Sequence, residues 1–161
     1  PTGMILNELL KDYVIASPTY VIRKKALQSL SYNFNDNYHI IGDFDLNTRL
    51  ASKWKFECVQ SSIAHVRVHG QNESLLKRQR EIDELKIWYS EMENNPSFSS
   101  QSNLNQVLLM TSYLEIMHSI MENGLKKSFF MIIKYPFSFK KIKLIIALLL
   151  PKFIIKRIKN Y

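Results

Sequence analysis

The chain has 161 residues, 46% of them hydrophobic and 22% charged, which is the range of a globular domain and not of a disordered or collagen-like polymer. Four Gly, five Pro and no fixed-period repeat argue against solenoids, propellers and glycine-rich phosphate loops. The net charge of +8 is unevenly placed: residues 123–161 hold ten Lys or Arg and no acid, whereas the rest hold twelve basic and fourteen acidic groups. A basic balance confined to one end points to a local partner such as anionic lipid, not to a nucleic acid.

The chain opens Pro1-Thr2-Gly3, with no initiator Met and no signal stretch, and is expected to be part of a longer polypeptide. Cys58 stands alone, and four His without paired Cys give no zinc-finger spacing, so a reducing compartment is expected. Met4 to Lys11 reads as the end of a helix with Leu6, Leu9 and Leu10 on one side. Ser17-Pro18 then forces extended backbone, and Thr19-Tyr20-Val21-Ile22 reads as a short strand. Lys24 to Leu30 returns to helix, and Asn33 to Asn37 is a turn-rich loop. Asp43-Phe44-Asp45-Leu46-Asn47-Thr48-Arg49-Leu50-Ala51 places acids in the first turn of a helix, where backbone N–H groups favour negative charge.

Lys55 to Gln60 and Ile63 to His69 read as two strands, the second setting His65, Arg67 and His69 on one face and Val66 and Val68 on the other. Leu75 to Met92 is a charged helix carrying Ile82, Leu85, Tyr89 and Met92 at helical spacing, with Lys77–Glu81 and Arg80–Glu84 able to pair. Asn94-Asn95-Pro96 through Ser100 is a linker signal. Beyond it the pattern is helical, with Val107, Met110, Leu114, Met117 and Met121 as one stripe.

Three pieces in order carry a resemblance: Pro18-Thr19-Tyr20-Val21-Ile22-Arg23, Gly42-Asp43-Phe44-Asp45-Leu46-Asn47-Thr48-Arg49-Leu50-Ala51, and Val66-Arg67-Val68-His69-Gly70-Gln71-Asn72-Glu73-Ser74. Over roughly sixty residues the chain resembles the C-terminal half of the catalytic domain of family-two inverting glycosyltransferases with the GT-A fold. The resemblance implies an α/β class: a partial GT-A, nucleotide-diphospho-sugar-transferase-like domain over 1–93 that lacks its N-terminal half; the pattern and charge beyond it predict a basic amphipathic helical module over 94–161. It implies that Asp43 is the general base and that His69 is a candidate metal ligand beside the diphosphate. Arg67 is matched to substrate and diphosphate binding, either on phosphate oxygens or orienting the acid of the Asp43 run, and Thr19 and Arg23 are candidate substrate contacts. The cofactor implied is a divalent cation, Mg²⁺ or Mn²⁺, whose main Asp-any-Asp ligands lie outside this chain. Gly42 stands where the family has an acid before the catalytic Asp.

The plainer alternatives are that Asp43 only caps its helix, that Asp45 is structural, and that His69 is a surface or satisfied histidine. In the tail, Lys134, Pro136, Lys143, Pro151 and Lys152 interrupt the apolar stretches, and the clean run Leu144 to Leu150 is far short of the ~20 residues that cross a bilayer. Apolar patches alternating with lysines suit helices lying in the membrane interface, with a packed appendage or a dimer face as alternatives.

The expected function is therefore transfer of a sugar from a nucleoside-diphosphate sugar to a hydroxyl of a saccharide or lipid-linked acceptor, by an enzyme peripheral on the cytoplasmic face of the cell membrane. Residues 126–161 are expected to meet the anionic membrane surface, and no nucleic acid is expected. The alternative is a non-catalytic peripheral membrane-binding or interaction protein.

Overall fold

A computed structural model of the chain describes residues 2–62, 64–65, 77–122 and 125–159, the side chains of 156–159 excepted. Two compact units follow one another, Pro1–Leu108 and Leu109–Tyr161.

In the first unit α1 (Leu6–Lys11) buries Leu6, Leu9 and Leu10, as their spacing predicts. A 3₁₀ turn over Ser17–Thr19 leads by extended backbone at Tyr20 to α2 (Lys24–Gln28). Helix α3 (Gly42–Ala51) is the most enclosed element, buried along nearly its whole length. Leu46 and Leu50 of α3 and Ala26 of α2 form a small apolar core flanked by Ile22, Leu27, Leu30, Trp54 and Phe56. Helix α4 (Arg78–Met92) buries Ile82, Leu85, Trp88 and Met92, one turn apart on a single stripe, together with the charged Glu84. The short α5 (Pro96–Ser99) starts with Pro in its first turn, and the Asn95 side chain caps it by accepting from the Ser97 N–H. Phe98 of α5 meets Trp88 edge-on at 5.6 Å. Asn7 ties α1 to residues 102–103, its side chain accepting from the Asn103 N–H at 2.9 Å.

Helix α6 (Leu104–Glu122) leads into the second unit, which adds α7 (Leu125–Lys134), α8 (Phe139–Leu149) and α9 (Lys152–Lys159). Its core is Ile116, Met117, Ile120, Ile132, Tyr135, Leu144, Ala147 and Ile155. On α6 the buried face runs through Val107, Ile116, Met117 and Ile120, whereas Met110 of the expected stripe is exposed. Burial holds the Tyr113 and Tyr135 hydroxyls above the usual phenol range, because it disfavours the charged phenolate.

The α/β expectation, a partial GT-A domain, is overturned. The described residues hold no sheet, and their β pairing is one antiparallel bridge between Gly3 and Phe56, with N–H to O distances of 2.7 and 2.8 Å. The segments read as strands have strand-like composition but no ladder. Val21 is fully exposed and Val59 is 68% exposed, so the β-branched side chains that suit a half-buried pleat have no pleat to enter. A strand is stabilised by pairing its N–H and C=O groups with a neighbour, and extended segments lacking one leave those groups to water. Of Ile63 to His69, only Ala64 and His65 lie among the described residues, and neither is in a strand.

Candidate functional site

Helix α3 carries two acids two residues apart, and the structure sends them in opposite directions. Asp45 is fully buried: one carboxylate oxygen accepts from Arg49 Nε at 2.9 Å and Nη2 at 2.7 Å, and the other from the Trp88 indole N–H at 3.2 Å. Arg49 then donates to the carbonyls of Tyr32 and Asn33 at 2.8 and 2.6 Å and lies 3.9 Å over the Tyr32 ring. A planar five-donor guanidinium suits this task, setting two donors on one carboxylate oxygen and tying down a loop at once. The pair is thus structural, as its place in the first turn suggested.

Asp43 is only half-buried. Its Oδ1 accepts from the Phe44 N–H at 2.8 Å, satisfying one of the orphan amides of the helix start, and its Oδ2 accepts from the exposed Ser17 hydroxyl at 2.7 Å. Tyr13 and Tyr20 are its ring neighbours. Burial, with the Asp43 charge adding to it, pushes both phenols above their ordinary range and keeps them neutral. Tyr13 accepts from the Asn47 side-chain amide at 2.9 Å, one turn along α3 from Asp43. The Asn47 carbonyl oxygen is buried and meets no donor among the described residues. Beneath the site, Tyr13, Phe44, Trp88 and Phe98 form a chain of edge-on ring contacts at 5.2, 4.8 and 5.6 Å.

The start of α3 has no side-chain N-cap of its own. Glu84, reaching from α4, holds the loop that enters α3: its carboxylate takes the N–H groups of His39, Ile40 and Ile41 at 3.0, 2.8 and 3.1 Å and Arg80 Nε at 2.8 Å. Burial works to raise its pKa, but the four donors outweigh burial and hold the carboxyl below the usual glutamate range. A carboxylate at a helix N-terminus is also favoured by the aligned peptide dipoles. The angle at which α3, and with it Asp43, leaves the preceding loop is therefore set by α4. Nearby, the Tyr38 hydroxyl donates to Glu91 at 2.7 Å; burial and that carboxylate keep it protonated.

The other expected site residues that the structure describes are Thr19 and Arg23. The Thr19 hydroxyl donates to the Ala16 carbonyl at 2.6 Å within its own turn, and Arg23 is exposed at the start of α2. Arg67 and His69 lie outside the described residues. Among the described residues no three His, Cys, Asp or Glu side chains gather as a metal centre, and Asp45, closed by Arg49 and Trp88, has no carboxylate oxygen to share with Asp43. The Asp43–Asp45 pair does not fit a divalent cation.

Sequence reasoning missed Glu84, Trp88, Tyr13 and Asn47. Trp88 was within reach, since it falls three residues after Leu85 and four before Met92 on the buried stripe. Glu84 carried no signal beyond its pairing with Arg80, because its main partners lie 43 to 45 residues earlier. Comparison with protein-family models, curated proteins and solved structures finds no match to this chain.

Proposed function

We propose that the chain supplies the acceptor side of a glycosyl-transfer reaction, with Asp43 as general base. The observation that carries this is the Ser17–Asp43 contact. A solvent-facing carboxylate oxygen, on a carboxylate fixed by an amide of its own helix turn, accepts from an exposed hydroxyl at 2.7 Å. That is the distance a base needs to the hydroxyl of an acceptor. The resemblance of three ordered sequence pieces to family-two inverting glycosyltransferases suggests the choice of reaction. The acceptor oxygen attacks the anomeric carbon, its proton passes to the Asp43 carboxylate, and the carbon–oxygen bond to the nucleoside diphosphate breaks with its electron pair leaving on phosphate. The acceptor is a hydroxyl of a saccharide or lipid-linked saccharide. Arg67 is assigned to the diphosphate and Thr19 and Arg23 to the substrate. His69 is the residue of this chain proposed for a divalent cation, Mg²⁺ or Mn²⁺, which would neutralise charge on the leaving group.

The test is Asp43→Asn in the whole protein, assayed for transfer from nucleoside-diphosphate sugars. Removal of a general base lowers turnover by about 10²–10⁴-fold, with circular dichroism and thermal unfolding unchanged. Transfer at the normal rate by Asp43→Asn overturns the assignment.

A second property has its own support. Phe129, Phe130, Ile133, Phe137, Phe139, Ile142, Ile145, Ile146, Leu149 and Phe153 are all exposed, and Lys126, Lys127, Lys134, Lys140, Lys143 and Lys152 stand among them with no acid. No described helix is long and apolar enough to cross a membrane. We propose that α7 and α8 lie on an anionic membrane surface, apolar side chains inward and ammonium groups at headgroups, each worth about 1 kcal/mol near such a surface. The cytoplasmic face suits both properties, because soluble nucleotide sugars and a lipid-linked acceptor meet there. Should no transfer be found in the whole protein, membrane binding alone would remain as the function.

A further inference from the structure

Helices α7 and α8 form an antiparallel hairpin joined at 135–138, and a groove of about 390 Å³ runs between them, lined by Phe129, Ile132 and Ile133 from α7 and Lys141, Ile145, Leu148 and Leu149 from α8. The groove has a floor and two walls of different character. Ile132 is buried beneath it, while Phe129, Ile133, Ile145 and Leu149 are exposed along it. Its volume is within the range of about 300–1,000 Å³ that small-molecule sites occupy. An ordinary surface helix would place polar residues along such an edge.

The groove is polar at one end only. Lys141 enters at the hairpin end, where its ammonium donates to the carbonyls of Ile133 and Tyr135 at 3.0 and 2.6 Å and so closes the C-terminus of α7. An ammonium has three donors, so one remains for an outside acceptor. Lys134, Lys140 and Lys143 belong to the same end of the hairpin, and residues 123–161 contain no acid to neutralise them. From Lys141 to Leu149, about 12 Å of helix rise, the lining is hydrocarbon. A cationic head end followed by an apolar trough is complementary to an anionic headgroup followed by an acyl chain.

We propose that this groove takes up one acyl chain of an anionic glycerophospholipid from the bilayer, with the headgroup phosphate at Lys141. The inference rests on the membrane docking of α7 and α8 and deepens it. Docking alone needs only an apolar surface, whereas uptake of a chain makes one trough on that surface different from the rest. A splayed chain also anchors the hairpin more firmly than shallow insertion, since each buried methylene adds about 0.8 kcal/mol.

The test uses the intact chain on vesicles of phosphatidylcholine and phosphatidylglycerol in equal parts, with a photoactivatable group in one acyl chain of either lipid. The labelled residue is read by fragment mass spectrometry. Label from phosphatidylglycerol is expected on Phe129, Ile133, Ile145, Leu148 and Leu149, several-fold above label from phosphatidylcholine. Ile145→Trp fills the groove without removing apolar surface, and is expected to bind vesicles as tightly as the parent while losing the groove label. Ile146→Trp adds the same ring beside the groove and is expected to keep it. Label spread over Phe137, Phe139, Ile142 and Phe153, or equal loss in the two Trp variants, overturns the groove and leaves surface docking standing. Equal labelling from the two lipids overturns the headgroup at Lys141. An unlabelled groove on a dimer in sedimentation shows a second copy as its occupant and overturns the lipid. A chain that stays with the supernatant overturns docking and groove together.

Discussion

The surroundings of α3 and the α7–α8 hairpin solve opposite problems. Around α3, charged groups are taken out of water and given specific partners: Asp45 with Arg49 and Trp88, Glu84 with three backbone amides and Arg80. On the hairpin, large apolar groups are left in water and lysines are set between them. Burying charge is expensive, so it persists where one geometry must be chosen over others, here the direction in which Asp43 leaves its loop. Exposing apolar surface is also costly, but it commits to no particular geometry and suits a partner that is fluid. The first region is built for a unique arrangement of atoms and the second for contact.

That contrast breaks most visibly at Asp45. In Asp45→Ala the Arg49 guanidinium keeps its two carbonyls but loses its counter-charge, and the Trp88 indole N–H loses its acceptor, all inside the protein. Removing one partner of a buried ion pair costs about 3–5 kcal/mol, a large share of the stability of a small unit. The measurement is chemical denaturation followed by Trp fluorescence. A loss under about 1 kcal/mol would mean that the network relaxes or admits water, and that α3 is not uniquely held.

Glu84→Gln sharpens the comparison through pH. The Glu84 carboxyl is lowered from its ordinary value of 4.5, so its contribution is fully present above that value and is lost as pH falls through the lowered one. Amide exchange at His39, Ile40 and Ile41 is therefore expected to rise relative to α3 as the solution is acidified below the glutamate range. In Glu84→Gln one oxygen remains to accept and the other becomes an NH2 donor, so the amides facing the NH2 exchange faster at neutral pH with no added acid sensitivity, and stability falls by about 1–3 kcal/mol, the usual cost of unpaired buried donors. Parent amides that ignore the acidification would show that another group holds the loop.

The helices were legible because their information is local. The leucine spacing of α1, the acids in the first turn of α3 and the apolar stripe of α4 all lie within a few residues of one another. The structural role of Asp45 was legible for the same reason, since Arg49 is one turn away. The strands were not. The β-branched run around Val21 and the Lys55–Gln60 segment state what a segment would do beside a neighbour, and the neighbour is not encoded in the segment. The place of Asp43 in the first turn of α3 could be read from its run of residues, whereas Ser17 and Glu84 reach it or the loop before its helix across 26 and 43 to 45 residues, separations at which no periodicity survives.

Phe137 is where the smallest effect on folding meets a large effect on contact. It is 88% exposed in the turn between α7 and α8, so Phe137→Ser removes almost no packing and changes stability by less than about 0.5 kcal/mol. In a bilayer interface the same ring leaves water, and even partial transfer of a phenyl side chain is worth about 1.5 kcal/mol, roughly tenfold in binding. Co-sedimentation with anionic vesicles is therefore expected to weaken about tenfold while the denaturation midpoint stays where it was. If the midpoint fell and vesicle binding held, the ring would be packing against protein, and the hairpin would belong with α3 as a region built for one geometry.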